Sequence, residues 1–220
     1  MNIMNKYIKI LIVIPFILIL LIVIHQLNYW NLIPKKSYTA DNFNITTIKS
    51  TTDYNNNNID DYTDILIGAR KYVEANPQYK SAYYAGGYPP ERIGVCTDVI
   101  WSAFKEAGYN LKDLIDLDIK SNLNSYTTIT KPDPNIDFRR VRNLFIFFER
   151  NSVSITLDTT KIEQWQPGDI VIYDNSHIAI VSDKRNKDGK PYIIHHGGQP
   201  VLEEDALTRN KIIGHFRWTK

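Results

Sequence analysis

The single cysteine of the chain, Cys96, lies where a loop rich in glycine and proline meets an apolar periodic segment. Apolar residues recur after it at helical spacing until Gly108 breaks the pattern. The pattern predicts that Cys96 lies in the first turn of a helix, where the helix dipole favours a thiolate over a thiol. A thiolate there can attack a carbonyl group. The alternative role for a lone cysteine is that of a small buried hydrophobic residue.

Histidines are the candidate partners of Cys96, because a cysteine nucleophile needs a base within hydrogen-bond reach and that base needs an orienting group. His177 begins a predicted strand, and His195 and His196 end the next one. Facing side chains on adjacent antiparallel strands lie roughly 5 Å apart. We therefore predict that Cys96 attacks and that His177 transfers the proton. Either His195 or His196 orients His177, since the two point to opposite faces of the sheet.

Each of these histidines has a structural alternative, as a satisfied residue of the surface or the core. A metal site that combines Cys96 and the three histidines with Asp169 is a further alternative. The chain has no HExxH or CxxC spacing to support such a site, so we expect neither a metal nor a cofactor. His25 belongs to the apolar N-terminal segment, and His215 in the last predicted strand is given no role.

The predicted elements have an α+β order, in which helices come first and an antiparallel meander follows. Apolar periodicity predicts helices over residues 62–73, 95–107, 111–123 and 139–150, with a long loop over 124–137. Short β-branched runs between turn signals predict strands over residues 154–157, 170–173, 177–182, 192–195 and 212–218. The helix that begins near Cys96 is thus expected to pack against the strands that carry the histidines.

The N-terminal segment, residues 1–34, contains an apolar run over residues 10–24 that only Pro15 interrupts. Both a signal anchor and a cleaved signal peptide have this pattern. We favour an uncleaved, single-pass anchor because no small-x-small cleavage site follows the run. Lys6 and Lys9 precede it, which predicts a cytoplasmic N-terminus and a periplasmic or extracellular body. Secretion after cleavage is the alternative.

The rest of the chain divides into a polar segment, residues 35–59, and a globular domain, residues 60–220. The polar segment lacks an apolar stripe to bury, so we predict a tether. The chain has 26 basic and 24 acidic residues, and Lys6 and Lys9 account for the excess. The balanced charge of the remainder gives no indication of a nucleic-acid-binding surface. A single cysteine excludes an internal disulfide.

Five short segments follow one another in order between residues 60 and 218. They are YYAGG (83–87), GVCTDV (94–99), QPGDIVIYD (166–174), SHIAIVSD (176–183) and IIHHGG (193–198). This ordered set resembles the NlpC-type branch of the papain-like cysteine peptidases, which cut or remodel peptidoglycan peptides. The chain is most similar to a group of uncharacterised bacterial proteins in that branch that carry a Gly-Val-Cys-Thr-Asp motif. The resemblance implies a papain-like (NlpC-type) α+β fold, with the cysteine helix packed on an antiparallel sheet.

The resemblance also implies roles for individual residues. It makes Cys96 the nucleophile, His177 the base and His195 the orienting residue. Tyr83 corresponds to the tyrosine of the family's Tyr-x-x-Gly-Gly element, which lines the site near the oxyanion. The backbone N–H of Cys96 is expected to supply another donor to that oxyanion.

The neighbours of Cys96 depart from the better-known members, which carry Asp before the cysteine and Ser after it to hold the amino end of the stem peptide. Val95 and Thr97 take these places here, and Asp98 follows, so the resemblance leaves open which bond is cut. Asp98 either interacts with the helix dipole or binds substrate. Arg139 and Arg140 either clamp substrate carboxylates or belong to a solvated helix face.

The sequence therefore predicts a membrane-anchored, exported cysteine hydrolase that cleaves amide bonds of cell-wall peptides through a thioester. Its expected partners are peptidoglycan and, through the N-terminal segment, the membrane, but no nucleic acid. The alternatives are an acyltransferase on the same fold and a non-catalytic module that binds the cell wall.

Overall fold

The computed structural model describes residues 3–29, 33, 35–174 and 176–219, in two compact units. The first unit, residues 1–36, contains helix α1 (Ile3–Tyr29). Its segment Leu11–Tyr29 has a mean hydropathy of 2.5 over a window of 18 residues, so α1 is long and apolar enough to cross a membrane. A signal anchor and a signal peptide both fit such a helix.

The second unit, residues 37–220, begins with helices. They are α2 (Asp61–Ala75), α3 (Cys96–Glu106), α4 (Leu111–Ser121) and α5 (Val141–Asn151). Local sequence sets several of their ends. The Asp60 side chain accepts a hydrogen bond from the Thr63 N–H and caps α2, and Asn110 caps α4 in the same way through Asp113.

The strands follow the helices, apart from a short parallel pair formed by β1 (Gln78–Tyr79) and β2 (Ile93–Gly94). The remaining strands are β3 (Ser152–Ser154), β4 (Ile170–Tyr173), β5 (His177–Arg185), β6 (Pro191–His195), β7 (Leu202–Glu204) and β8 (Ile212–Trp218). They form one antiparallel sheet in the order β3-β8-β4-β5-β6-β7. The predicted α+β order, with helices before an antiparallel sheet, is confirmed.

The short strands β1 and β2 were not predicted, and two strands of the large sheet also differ from the prediction. The strand expected over residues 154–157 is observed as β3, two residues earlier, although the Ile155 N–H still donates to the His215 carbonyl at 2.8 Å. The strand β7 was not predicted, because two of its three residues are glutamates and it lacks a β-branched run. Its pairing with β6 joins His195 to Leu202 in register.

Apolar side chains of β5 and β6 alternate between the two faces of the sheet. Ile178, Ile180 and Ile194 join the core that α2 and α3 cover, whereas Val181 and Ile193 belong to a second cluster. The period of two along a strand requires this alternation. The alternation places His177 and His195 on the same face as Val181. Ile178 and His196, which follow them, point toward the face that the helices cover.

Residues 37–59, which we name the N-terminal strap, belong to the second unit instead of forming the predicted tether. Tyr38 and Arg185 exchange backbone hydrogen bonds of 2.9 and 2.8 Å, and the Ile48 N–H donates to the Gln166 side chain at 2.9 Å. Ala40 and Ile45 are buried. The strap thus binds mainly through its polar backbone groups, which an apolar pattern does not reveal.

The asparagine run of the strap also has structural contacts. The Asn55 amide donates to Asp64 at 2.9 Å and to the Glu106 carbonyl at 2.8 Å. The Asn57 amide donates to both carboxylate oxygens of Asp64. These hydrogen bonds connect the first turn of α2 to the last turn of α3, so the run is ordered without burying apolar surface.

Candidate active site

Cys96 is the first residue of α3, as predicted from the break between loop and apolar periodicity. Val95 precedes it in extended conformation, and its N–H donates to the Asp98 carboxylate at 2.8 Å, which fixes the start of the helix. The Cys96 side chain is buried, and the backbone N–H of Ile178 donates to its sulfur. Because Ile178 follows His177, the sulfur lies beside the beginning of β5.

Burial raises the pKa of the Cys96 thiol to about 11, even though the Ile178 N–H acts in the opposite direction. The nearby charge of Asp98 raises the pKa further. The backbone N–H groups at the start of α3 favour the thiolate, as predicted, but desolvation of the charged form outweighs them. Cys96 is a thiol at neutral pH, and its attack on a carbonyl requires a base.

His177 and His195 are brought together by β5 and β6. The Nε2 atom of His177 lies 2.7 Å from Nδ1 of His195, with the ring centroids 4.9 Å apart. Burial lowers the pKa of His177 to about 3, and the neighbouring His195 adds to this effect. His177 is therefore neutral at neutral pH and can accept a proton on the nitrogen that His195 does not contact.

His196 makes a different contact from its neighbour. Its Nδ1 atom lies 2.9 Å from the Tyr72 hydroxyl of α2, on the helix-covered side of the sheet. Burial raises the pKa of Tyr72, and the nearby Asp98 and Cys96 add to the effect, so Tyr72 lies in the surroundings of the thiol. Of the two candidate orienting residues, His195 is the one that contacts His177.

Gly197 follows the two histidines of β6 and lies against the rings of the site. A Cβ atom at this position would be 3.3 Å from Nδ1 of His195 and 3.5 Å from Cε1 of His177. The contact with His195 is tighter than ordinary van der Waals packing, whereas the contact with His177 is an ordinary one. Because glycine has no side chain, the space beside the imidazole rings of His177 and His195 stays free for their contact.

Asp98 and Arg139 bind each other in the core. The Nε and Nη2 atoms of Arg139 each donate to an oxygen of Asp98 at 2.9 Å. The Val95 N–H and the Trp101 indole N–H also donate to Asp98. These contacts differ from the predicted substrate-binding role, because both side chains are almost fully buried and the Asp98 oxygens already have partners.

Tyr83 and Arg140 lie at the surface. The Tyr83 hydroxyl accepts a hydrogen bond from the Asn135 amide at 2.9 Å and donates to Asp133 at 3.4 Å. Arg140 is exposed at the N-terminus of α5, where its charge lowers the pKa of Asp137, although burial raises it overall. Roles for Tyr83 and Arg140 in substrate binding remain predictions.

Glu204 contacts the site but was not predicted from the sequence. Its Oε1 atom lies 2.8 Å from Nε2 of His195, and Arg209 donates to both of its carboxylate oxygens. The chain has two adjacent glutamates here, and a strand directs them to opposite faces. Only the register of β7 on β6 distinguishes Glu204 from Glu203.

Asp169 does not contact these histidines. It forms hydrogen bonds with His215 at 2.9 Å and with Arg217 at 2.7 Å, both on β8. Within residues 3–29, 33, 35–174 and 176–219, no group of three or more His, Cys, Asp and Glu side chains is arranged to hold a metal ion.

Comparison with known proteins places the chain in a family. The family described as "Domain of unknown function (DUF1287)" matches residues 66–218, which is more than half of the chain. The chain belongs to the DUF1287 family. The DUF1287 match contains Cys96, His177, His195 and Glu204, whereas the N-terminal strap precedes it.

A relative is similar over most of the chain. The uncharacterized protein YijF of Escherichia coli (strain K12) is 37% identical over 166 residues, which cover 70% of this chain and 80% of that protein. The similarity to an uncharacterised bacterial protein was expected from the Gly-Val-Cys-Thr-Asp motif. No solved structure matches the chain.

Proposed function

We propose that this DUF1287 protein is a cysteine hydrolase of the papain-like, NlpC type that cleaves amide bonds of peptidoglycan peptides. The proposal rests chiefly on the 2.7 Å contact between His177 and His195, together with the position of Ile178, the residue after His177, whose backbone N–H donates to the sulfur of Cys96. A nucleophile, a base and an orienting group are the parts that covalent amide hydrolysis needs. Helices before an antiparallel sheet, with the cysteine at a helix start, are also consistent with the papain-like type.

The reaction begins with a neutral thiol and a neutral imidazole. His177 takes the thiol proton as the Cys96 sulfur attacks the amide carbon, and a carbon–sulfur bond forms. The carbon–nitrogen bond then breaks, and His177 returns the proton to the leaving amine. Water attacks the resulting thioester, with its proton passing to His177. Release of the carboxylic acid restores the Cys96 thiol.

The N-terminus of α3 is suited to stabilise the oxyanion of each tetrahedral intermediate. The backbone N–H groups of Cys96 and Thr97 lie close enough to the sulfur to lower its pKa. Donors beside the attacking atom are near the carbonyl oxygen of a bound substrate, where negative charge develops. In the resting enzyme the thiol carries no charge for these N–H groups to stabilise. In the transition state they would stabilise the negative charge on the substrate oxygen.

The substrate and the location come from the resemblance and from α1. Peptidoglycan peptides are the substrates of the NlpC-type branch, and an N-terminal helix whose apolar run follows Lys6 and Lys9 suits an exported protein. We propose that α1 anchors the hydrolase in the cytoplasmic membrane, with the second unit on the outer side.

Digestion of defined peptidoglycan fragments tests the proposal. The full chain in detergent is incubated with the fragments, and product masses are measured. The wild type is expected to release smaller fragments that result from cleavage of one amide bond, and Cys96→Ala is expected to release none. His195→Gln and His196→Gln form a matched pair, since only His195 contacts His177. The first substitution should lower the rate far more than the second.

The product masses also separate the alternatives. A product in which an added amine replaces water would show an acyltransferase and contradict hydrolysis as the main reaction. Binding to intact cell walls that Cys96→Ala leaves unchanged, with no product from any fragment, would support a binding module instead. Equal activity of wild type and Cys96→Ala would refute the proposed nucleophile.

A further inference from the structure

The hydrogen bonds of the candidate site continue beyond His195. Nε2 of His195 lies 2.8 Å from Oε1 of Glu204. Nη1 and Nη2 of Arg209 each lie 2.7 Å from one of the two Glu204 oxygens. The Glu204 side chain is only 4% exposed and that of His195 10%. A buried carboxylate with a two-point contact to arginine has a fixed position and keeps its charge.

The donors and acceptors in this series determine where the protons are. Arginine only donates and a carboxylate only accepts, so Glu204 must accept from Nε2–H of His195. When His195 carries one proton, on Nε2, its Nδ1 atom has a lone pair and accepts from Nε2–H of His177. The lone pair of neutral His177 is consequently on Nδ1, the ring nitrogen that His195 does not contact.

We propose that Glu204 and Arg209 are positioning residues that hold His177 in the tautomer able to accept the Cys96 proton. This inference rests on the proposed hydrolase function. Glu204 fixes the proton of His195, and His195 in turn fixes the proton of His177. Arg209 keeps the carboxylate ionised and aligned. The negative charge of Glu204 also stabilises the imidazolium that forms on His177 during attack.

The neighbouring glutamate provides a matched control. Glu203 precedes Glu204 on β7 but contacts Arg70 at 2.6 Å and Lys184 at 2.7 Å on the other side of the strand. Both residues are acidic, largely buried and bonded to an arginine. Glu203→Gln and Glu204→Gln therefore remove the same charge from the same strand, and only the second acts on the histidines.

The kinetic test uses the full chain in detergent with cleavable peptidoglycan fragments. Glu204→Gln is expected to lower kcat at least about tenfold with little change in KM, because its amide can also donate to His195 and reverse the tautomers. The acid limb of the pH–rate profile should move to lower pH, since the Glu204 charge raises the pKa of His177. Glu203→Gln should keep both the rate and the profile. An unchanged profile for Glu204→Gln would overturn the inference.

Nitrogen NMR of 15N-histidine-labelled full chain tests the same inference without any substrate. The wild type and Glu203→Gln are expected to show His177 as the Nε2–H tautomer, and Glu204→Gln a mixture or the Nδ1–H tautomer. Retention of the wild-type tautomer in Glu204→Gln would refute the inference even if hydrolysis were established. A changed tautomer without hydrolytic activity would refute the proposed function alone.

Arg209→Lys is the second variant, in case Glu204→Gln does not fold. Lysine keeps the positive charge but cannot make the two parallel hydrogen bonds of the guanidinium. The carboxylate should become less fixed, and kcat is expected to fall about threefold to tenfold with the melting temperature nearly unchanged. Wild-type kcat and a wild-type His177 spectrum in this variant would contradict a positioning role for Arg209.

Discussion

At the scale of single residues, the buried thiol and the buried imidazole are both neutral. Burial raises the pKa of Cys96 and lowers that of His177, so a preformed thiolate–imidazolium pair is disfavoured from both sides. The chemistry proposed for the site is therefore general-base catalysis, in which the proton moves as the sulfur attacks. The charge appears only in the transition state, where the Glu204 carboxylate can stabilise it.

The pH dependence of Cys96 alkylation distinguishes these protonation states. With a pKa of about 11, the thiolate fraction increases as pH rises. That fraction is about one in ten thousand at pH 7 and rises tenfold for each pH unit below the pKa. Iodoacetamide labelling of the full chain should therefore accelerate continuously from pH 7 to pH 10. Urea-unfolded protein is the control and should level off near pH 9. A rate that is constant from pH 5 to pH 8 would contradict the prediction and indicate an ion pair.

Gly197 allows a test of the space between the two rings. The Gly197→Ala substitution would add a Cβ atom 3.3 Å from His195 and 3.5 Å from His177, at a residue whose φ angle is not in the left-handed region. The His195 ring must move by a few tenths of an ångström relative to His177, and we expect kcat to fall about tenfold. The melting temperature should change little. Wild-type kcat in this variant would show that the ring positions tolerate the displacement.

At the scale of elements, the buried pair of Asp98 and Arg139 fixes the first turn of α3 to the segment before α5. Removing one partner leaves a buried charge without compensation. We expect Arg139→Met to lower the free energy of unfolding by about 3–5 kcal/mol, measured by urea denaturation. The exposed Arg140 is the matched control, and Arg140→Met should change it by less than about 0.5 kcal/mol. A raised KM with unchanged stability in Arg139→Met would instead favour the substrate-binding role.

Most of these elements could be predicted from the sequence, because apolar periodicity is local. Helix α3 and strand β5 have the expected boundaries within a few residues, so Cys96 and His177 were identified by position. Strand alternation also predicted that the side chains of His195 and His196 point to opposite faces of the sheet. Which of them meets His177 depends on the register of β6 on β5, and that is a property of strand pairing over a distance. Glu204 was missed for the same reason, since its partner depends on the register of β7.

At the scale of the whole molecule, the orientation of the proposed anchor α1 decides which substrates the second unit can meet. The two lysines before the apolar run favour a cytoplasmic N-terminus. In intact spheroplasts, added protease should therefore degrade the second unit of the full-length protein. A variant with Lys6→Glu and Lys9→Glu should lose part of this accessibility. Complete protection of the wild type in spheroplasts that become sensitive on lysis would contradict an exported domain.

The N-terminal strap has a consequence for the maturation of the protein. Tyr38 pairs with Arg185 through two backbone hydrogen bonds, and the carbonyl of the buried Ala40 accepts from the Ile45 N–H at 3.1 Å. Proteases cut flexible chain, so the hydrogen-bonded backbone at residues 38–40 becomes a poor protease substrate once the second unit folds. Any removal of α1 at this segment must happen before folding, while the chain is still being translocated. Removal after folding must occur upstream of residue 37, which leaves the strap on the mature protein.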